Sequence, residues 1–335
     1  MTIRKLAPIG FLAMGVTAGA PPLHAQAALE DVIVAVPNFT FTLTPTLVAE
    51  ELGLWEKHGL RFKMIQIQGV GATNAVIAGS ADFAQAGGST LTRANARGQK
   101  LVAIANTAER NIVAITLRKE FAPGFDPKAP LEKRAQALRG RTLGVGSLQA
   151  NPHAYLRVVA ARAGIDPESI RVTALEGNAQ LAAFGSKAID GMSNSPPFPM
   201  KPVLDGLSVV IANGPDGDPP NALNFAYNVV LTRPETCERR KSVCVKMGRA
   251  YKDAVAFILD HSKETVAILQ KRFTTLDRAL IEAAFEQIRK STPRIPSVTR
   301  EALENADDFN VEAGFMKKEE KLKSYEGLFT NEFVK

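Results

Sequence analysis

The residues of this chain best suited to chemistry are small and polar, and they stand where short apolar runs end. Asn38-Phe39-Thr40, Gly69–Thr73 and Gly87–Thr90 each follow such a run, and Gly146–Pro152 and Asn194-Ser195 repeat the arrangement later. We select Asn38, Phe39, Thr40, Gly71, Gly88, Ser89, Thr90, Ser147, Gln149, Asn151, His153, Asn194 and Ser195 as candidate ligand contacts. Arg110 joins them as a countercharge and Tyr227 as a residue at a chain crossing. Hydroxyls, side-chain amides and glycine backbones near helix starts can hold a small polar or anionic solute without transforming it.

Covalent chemistry finds little support in the same residues. Ser89, Ser147 and Ser195 lie outside any G-x-S-x-G elbow. The four histidines, His24, His58, His153 and His261, are too scattered to read as a metal cluster. Gly69-Val70-Gly71 and Gly144-Val145-Gly146 start like dinucleotide fingerprints, but Asn74 and Gln149 stand at the third glycine position. We therefore expect no catalytic residue, no cofactor and no metal. Tight turns that bring backbone N–H groups close to a solute use these glycines better.

The elements that must position these residues alternate. Val32–Val36 reads as a strand, and Leu47, Val48, Leu52 and Trp55 mark one face of the helix after it. Gly59 ends that helix. Arg61–Gln68 is a second strand, a helix carries Ala75 and Val76, and Asp82–Ala86 is a third strand. This series predicts a mainly parallel sheet with its ligand crevice beyond the strands' carboxyl ends. After Leu101–Ala105 and Ile112–Leu117, the proline-rich Phe121–Pro130 reads as a crossing into a second lobe. There the logic repeats: strands at Thr142–Gly146, Arg171–Leu175 and Ile189–Asn194, with helices from about His153 and Asn178. The fold class expected is α/β with two lobes, each a mainly parallel sheet flanked by helices. Lobe 1 takes 28–118, lobe 2 takes 119–222, and 223–335 returns to lobe 1 as a helical tail. Hinges are expected near Leu117–Glu120 and Leu223–Tyr227.

At the start, Arg4 and Lys5 precede an apolar run to about Ala20, and Ala25-Gln26-Ala27 follows a proline pair. That order predicts a secretory signal peptide over residues 1–27 and a periplasmic protein. Loss of Arg4 and Lys5 lowers the formal charge from +7 to +5. The basic residues are scattered and flanked by glutamates, so we expect no nucleic-acid partner. No later stretch is apolar enough to span a membrane.

The phrases "LGLWEKHGL" and "GVGATNAVIAGSADFAQAGGST" resemble the opening of periplasmic substrate-binding proteins of ABC importers. The branch is the nitrate/taurine/alkanesulfonate group, with its thiamine-pyrimidine precursor relatives. The resemblance implies a type II, Venus-flytrap fold, a small-molecule ligand, an ABC permease as partner and a monomer. Where many sulfonate binders of the branch carry W-D-P-Y, this chain reads Ser195-Pro196-Pro197-Phe198, so the aromatic and the acid are replaced while a proline and a ring remain. An organic anion such as a carboxylate or sulfonate, or a pyrimidine, is the expected ligand, stacked on Phe39. Two alternatives stay open: a periplasmic sensor for a membrane receptor, and an enzyme like the thiamine-pyrimidine synthase of the wider family. That enzyme carries a cysteine-rich motif, whereas this chain has only Cys237 and Cys244. An oxidising compartment favours a disulfide between them. On one continuous helix they would stand about 10 Å apart, so bonding predicts a break near Glu238–Ser242.

Overall fold

The computed structural model describes residues 1–2 and 28–335; the expected signal peptide lies almost wholly outside the described residues. β1 (Glu30–Val36) opens the first lobe and leads through α1 (Thr44–Glu51) and α2 (Leu54–Lys57) to β2 (Leu60–Gln66). Then come α3 (Gly71–Ile77), β3 (Phe83–Ala86), α4 (Gly88–Ala96) and β4 (Val102–Ala108). The second lobe holds β5 (Ala114–Arg118), α5 (Leu131–Ala135), β6 (Thr142–Val145), α6 (Asn151–Arg162) and β7 (Arg171–Ala174). It continues with α7 (Gly177–Gly185), β8 (Gly191–Asn194), α8 (Lys201–Leu204) and β9 (Ser208–Asn213). β10 (Asn228–Thr232) returns to the first lobe, followed by α9 (Pro234–Arg239), α10 (Lys241–Asp260), α11 (Ser262–Arg272), α12 (Arg278–Ser291) and α13 (Arg300–Glu312).

The first sheet has the order β2-β1-β3-β10-β4 and the second β7-β6-β8-β5-β9. In each, four strands run the same way and one runs against them. The reversed strands are β10, antiparallel to β3 and β4, and β5, antiparallel to β8 and β9. These are the two strands entered directly from the other lobe. The mainly parallel two-lobed α/β fold is therefore present. The first crossing, however, lies at residues 109–113, because β5 already pairs in the second sheet. The hinge expected near Leu117–Glu120 is one strand too late: proline and glycine content marks Phe121–Pro130 as irregular, but not which sheet precedes it.

Trp55 anchors the first lobe. It is buried, stacks on Phe62 at 4.3 Å between centroids and meets Tyr251 of α10 edge-on at 5.3 Å. Tyr251 in turn bonds Thr46 and Gln85, so the helical tail is joined to α1 and β3 by both packing and polar contacts. Cys237 and Cys244 form a disulfide with Cα atoms 5.6 Å apart. The expected break is at Arg240, whose φ of −129° and ψ of 53° separate α9 from α10. The tail packs on the first lobe but reaches further than expected. α13 lies on α4 and also on α6 of the second lobe, where Glu312 pairs with Arg162 at 2.7 Å.

A cleft between two lobes

Loops at the carboxyl ends of the strands converge from both lobes on one cleft, as the crevice rule requires. Its outer chamber has a volume of about 330 Å³. Asn38, Phe39 and Thr40 border it from the β1–α1 loop, and Glu176, Gly177 and Asn178 from the β7–α7 loop. Gly146, Asn194 and Phe198 complete the second lobe's wall, and Arg272–Leu276, the end of α11 and the turn after it, the first's. Asn38 and Gly146 also border an inner chamber of about 60 Å³, with Gly69, Val70, Gly87, Thr90, Ser147, Asn151 and Tyr227 around it. The shared residues make this one cleft with two depths.

Aromatic rings shape the outer chamber. Phe39 lies 4.9 Å from Phe273 between centroids, and Phe273 lies 4.7 Å from Phe41 behind it. On the other side Gly177 adopts φ 49°, and a Cβ there would sit 3.1 Å from the Phe198 ring. Asn38 accepts the Thr40 hydroxyl at 3.1 Å, which fixes the β1–α1 loop. Asn194 is held by Gln180 at 3.0 Å and receives the Ser195 N–H at 2.8 Å.

The lobes touch directly. Ser89 Oγ donates to Asn151 Oδ1 at 2.5 Å, and Asn151 Nδ2 donates to the Tyr227 carbonyl at 3.2 Å. Ser195 Oγ and the Tyr227 hydroxyl lie 2.5 Å apart, and the Phe41 N–H donates to the Pro196 carbonyl at 3.1 Å. Arg93 Nη2 reaches the Gln149 carbonyl at 2.9 Å. Gly69, at φ 58°, comes so close to Ser147 that a Cβ would lie 2.3 Å from its Oγ. This is a closed arrangement, in which a side chain at 69 would displace the Ser147 hydroxyl and would also have to adopt a left-handed conformation that favours glycine.

A family model described as NMT1/THI5 like matches residues 40–265. The chain belongs to the NMT1/THI5-like family. A protein of Brucella abortus named as a candidate binding protein is 28% identical over 249 residues, covering 71% of this chain and 69% of its own. Among solved structures, a protein of Bordetella bronchiseptica superposes with a TM-score of 0.77 at 18% identity, over 91% of this chain and 96% of its own. The alkanesulfonate-binding protein of Xanthomonas axonopodis bound to MOPS gives 0.68 at 17%, over 88% and 97%. The nitrate-binding protein of Synechocystis gives 0.65 at 14%, over 87% and 83%. At these identities the likeness establishes the periplasmic binding-protein fold.

Of the contacts expected from sequence in this NMT1/THI5-like chain, Asn38, Phe39, Thr40, Asn194, Thr90, Ser147, Asn151 and Tyr227 border the cleft. Ser89 and Ser195 lie beneath it as buried partners in the interlobe bonds. Gly71 and Gly88 are displaced from the lining. A Cβ at Gly71 would meet Ile67, and the Gly88 N–H donates to the Ala226 carbonyl at 2.7 Å, so Gly69 and Gly87 face the cleft in their place. Arg110 sits on the first crossing with its guanidinium at the Pro215 carbonyl, outside both chambers. β4 feeds straight into the hinge, so a residue following it cannot face the cleft as residues after β1 do.

Gln149 and His153 also turn away. The Gln149 N–H donates to His153 Nδ1 at 3.1 Å, and the imidazole packs 5.0 Å from Phe315. Burial, helped by nearby Arg157 and opposed by Glu168, pushes the His153 pKa down to about 4. It stays neutral as the acceptor that holds Gln149 at φ 60°. Glu176 and the α11–α12 turn are the residues sequence reasoning missed. The strand–loop–helix rule used for the other loops also picks out Glu176-Gly177-Asn178; nothing in the helical spacing of the tail marks Phe273. No group of three or more His, Cys, Asp or Glu among the described residues is placed to hold a metal ion.

Proposed function

We propose that this protein is the extracytoplasmic solute-binding component of an ABC importer, exported to the periplasm and delivering a small organic solute to a membrane permease. The observation that carries the proposal is the shared cleft: loops from both sheets border one cavity between lobes joined by two crossings. A solute that touches both lobes stabilises their closed arrangement, and a permease that recognises that arrangement takes up only loaded protein. Two proteins that share the fold are named for small solutes they bind, one an alkanesulfonate-binding protein and one a periplasmic nitrate-binding protein. No helix among the described residues is long and apolar enough to cross a membrane, which fits delivery to a separate permease. The cleft works by position and closure, with no bond made or broken.

Thermal shift of the purified protein against sulfonates, nitrate, carboxylates, pyrimidines and organic amines tests the reading. A ligand at about 1,000 times its Kd adds roughly 4 kcal/mol, which raises the melting temperature by several degrees. No shift with any solute, together with no small molecule released on denaturation, would remove the binding function altogether.

A further inference from the structure

The lobes also meet outside the cleft, along α13. This helix starts on the second crossing, which leads from β9 to β10. There the Ala226 N–H donates to the Ala302 carbonyl at 3.2 Å, and Asn305 Nδ2 donates to the Asn224 carbonyl at 2.7 Å. Phe309 meets Phe225 edge-on at 4.9 Å. Asn310 then fastens the helix to α4, its amide donating to the Ser89 carbonyl at 2.8 Å and the Thr92 hydroxyl at 3.1 Å.

The far end of α13 faces the other lobe. The Gly314 and Phe315 N–H groups donate to the Val311 and Asn310 carbonyls at 2.9 Å each, a Schellman ending that uses Gly314 at φ 70°. The Ala313 carbonyl accepts from Arg157 Nε of α6 at 2.5 Å. The Phe315 ring lies 5.7 Å from the Arg93 guanidinium of α4 and 5.6 Å from that of Arg157, so cations from both lobes share one ring. Glu168 pairs with Arg157 at 2.6 Å and tempers their repulsion. Arg93 is buried, and its hydrogen bonds go to neutral oxygens, Asn310 Oδ1 at 3.1 Å and, across the lobes, the Gln149 carbonyl at 2.9 Å. Glu312 receives Arg162 of α6 on both oxygens, at 3.0 and 2.9 Å.

We propose that the end of α13, Asn310–Phe315, is a strap that draws the two lobes together before any solute binds. The proposal rests on the binding reading above only for its consequence, a larger closed fraction ready for solute. A buried guanidinium needs every partner it has, and Arg93 has the Gln149 carbonyl only while the lobes are together. The Glu312–Arg162 pair is partly exposed and contributes less than the contacts around the ring.

Spin labels on Lys63→Cys in β2 and Ala182→Cys in α7, both exposed, read the interlobe distance. The protein is first freed of small molecules by unfolding and refolding with its disulfide intact. Solute-free wild type should show a short-distance population. Phe315→Ala should lose most of it and Glu312→Lys part of it, and adding Arg162→Glu to Glu312→Lys should restore it. No short population in wild type, or one unmoved by Phe315→Ala and Glu312→Lys, overturns the strap. Should Phe315→Ala fail to fold, the exposed charge pair decides alone: an unmoved population in Glu312→Lys overturns the strap, and loss with recovery in the swapped pair upholds it. Each distance is read without solute, so a failed strap leaves the binding function standing, and thermal shift tests that function separately.

Discussion

Replacing Asn151 with alanine should separate closure from folding. Asn151 opens α6 in the second lobe, and its amide bonds two groups of the first, Ser89 Oγ at 2.5 Å and the Tyr227 carbonyl at 3.2 Å. Each lobe keeps its own sheet without these bonds. In the closed arrangement the variant leaves a buried hydroxyl and a buried carbonyl without partners, at about 1–3 kcal/mol each. When the lobes part, water takes both groups, so the cost falls on the open–closed equilibrium. Its lower bound, about 2 kcal/mol, converts to roughly 30-fold. Where the closed form is the minor state of the free protein, apparent affinity for solute falls by that factor. Calorimetry reads the affinity, small-angle scattering reads the radius of gyration, and the melting temperature without ligand should move little. Ser89→Ala removes one end of the same bond, so the double variant should cost less than the two singles added. Wild-type affinity and radius in Asn151→Ala would refute the clasp. A large fall in melting temperature at unchanged radius would assign Asn151 to the core instead.

Much of this arrangement is legible in sequence because it depends on local signals. Apolar runs of strand length, glycine stops at Gly59 and Gly79, and polar loops after strands are set by neighbours in the chain, so the β/α alternation and most of the cleft's first wall follow from them. The break at Arg240 was readable for a similar reason, since two cysteines seven residues apart cannot meet on an unbroken helix. Long-range pairing is different. β5 has the apolar content of any strand, and only its register with β8 and β9 shows that it has changed lobes. Phe273 and Arg272 reach the cleft from the turn after α11 and that helix's last residue, and helical spacing reports burial but not the identity of the neighbour. Arg110 fails for a topological reason, and Glu176 was reachable by the rule that found the other loops. Closure itself leaves one local trace, the glycine at 69, whose purpose becomes clear only when Ser147 of the other lobe stands against it.

Two further outcomes test the packing around the cleft. Reducing the Cys237–Cys244 bond, which closes a loop of seven residues' separation, should lower stability by about 2.5 kcal/mol on a chain-entropy estimate. Denaturant midpoints with and without reductant measure this, with the double serine variant as control; a midpoint unmoved by reductant would show that the bond adds no stability. His153 makes a prediction about pH. Its pKa is held near 4, below the ordinary value of about 6.5, because burial disfavours its charge, Arg157 repels it, and protonating Nδ1 would break the bond from the Gln149 N–H. The unfolded chain therefore takes up a proton at His153 before the folded one does. The stability this residue contributes is present in full above about pH 6.5 and is lost as pH falls from there toward about 4. Unfolding free energies across that interval should slope less steeply in His153→Gln, which keeps a polar group beside Gln149 but does not titrate. Equal slopes in the two proteins would mean that His153 protonates as readily in the fold as out of it. Its desolvation, and its role in holding Gln149 beneath the Arg93 bridge, would then be refuted together.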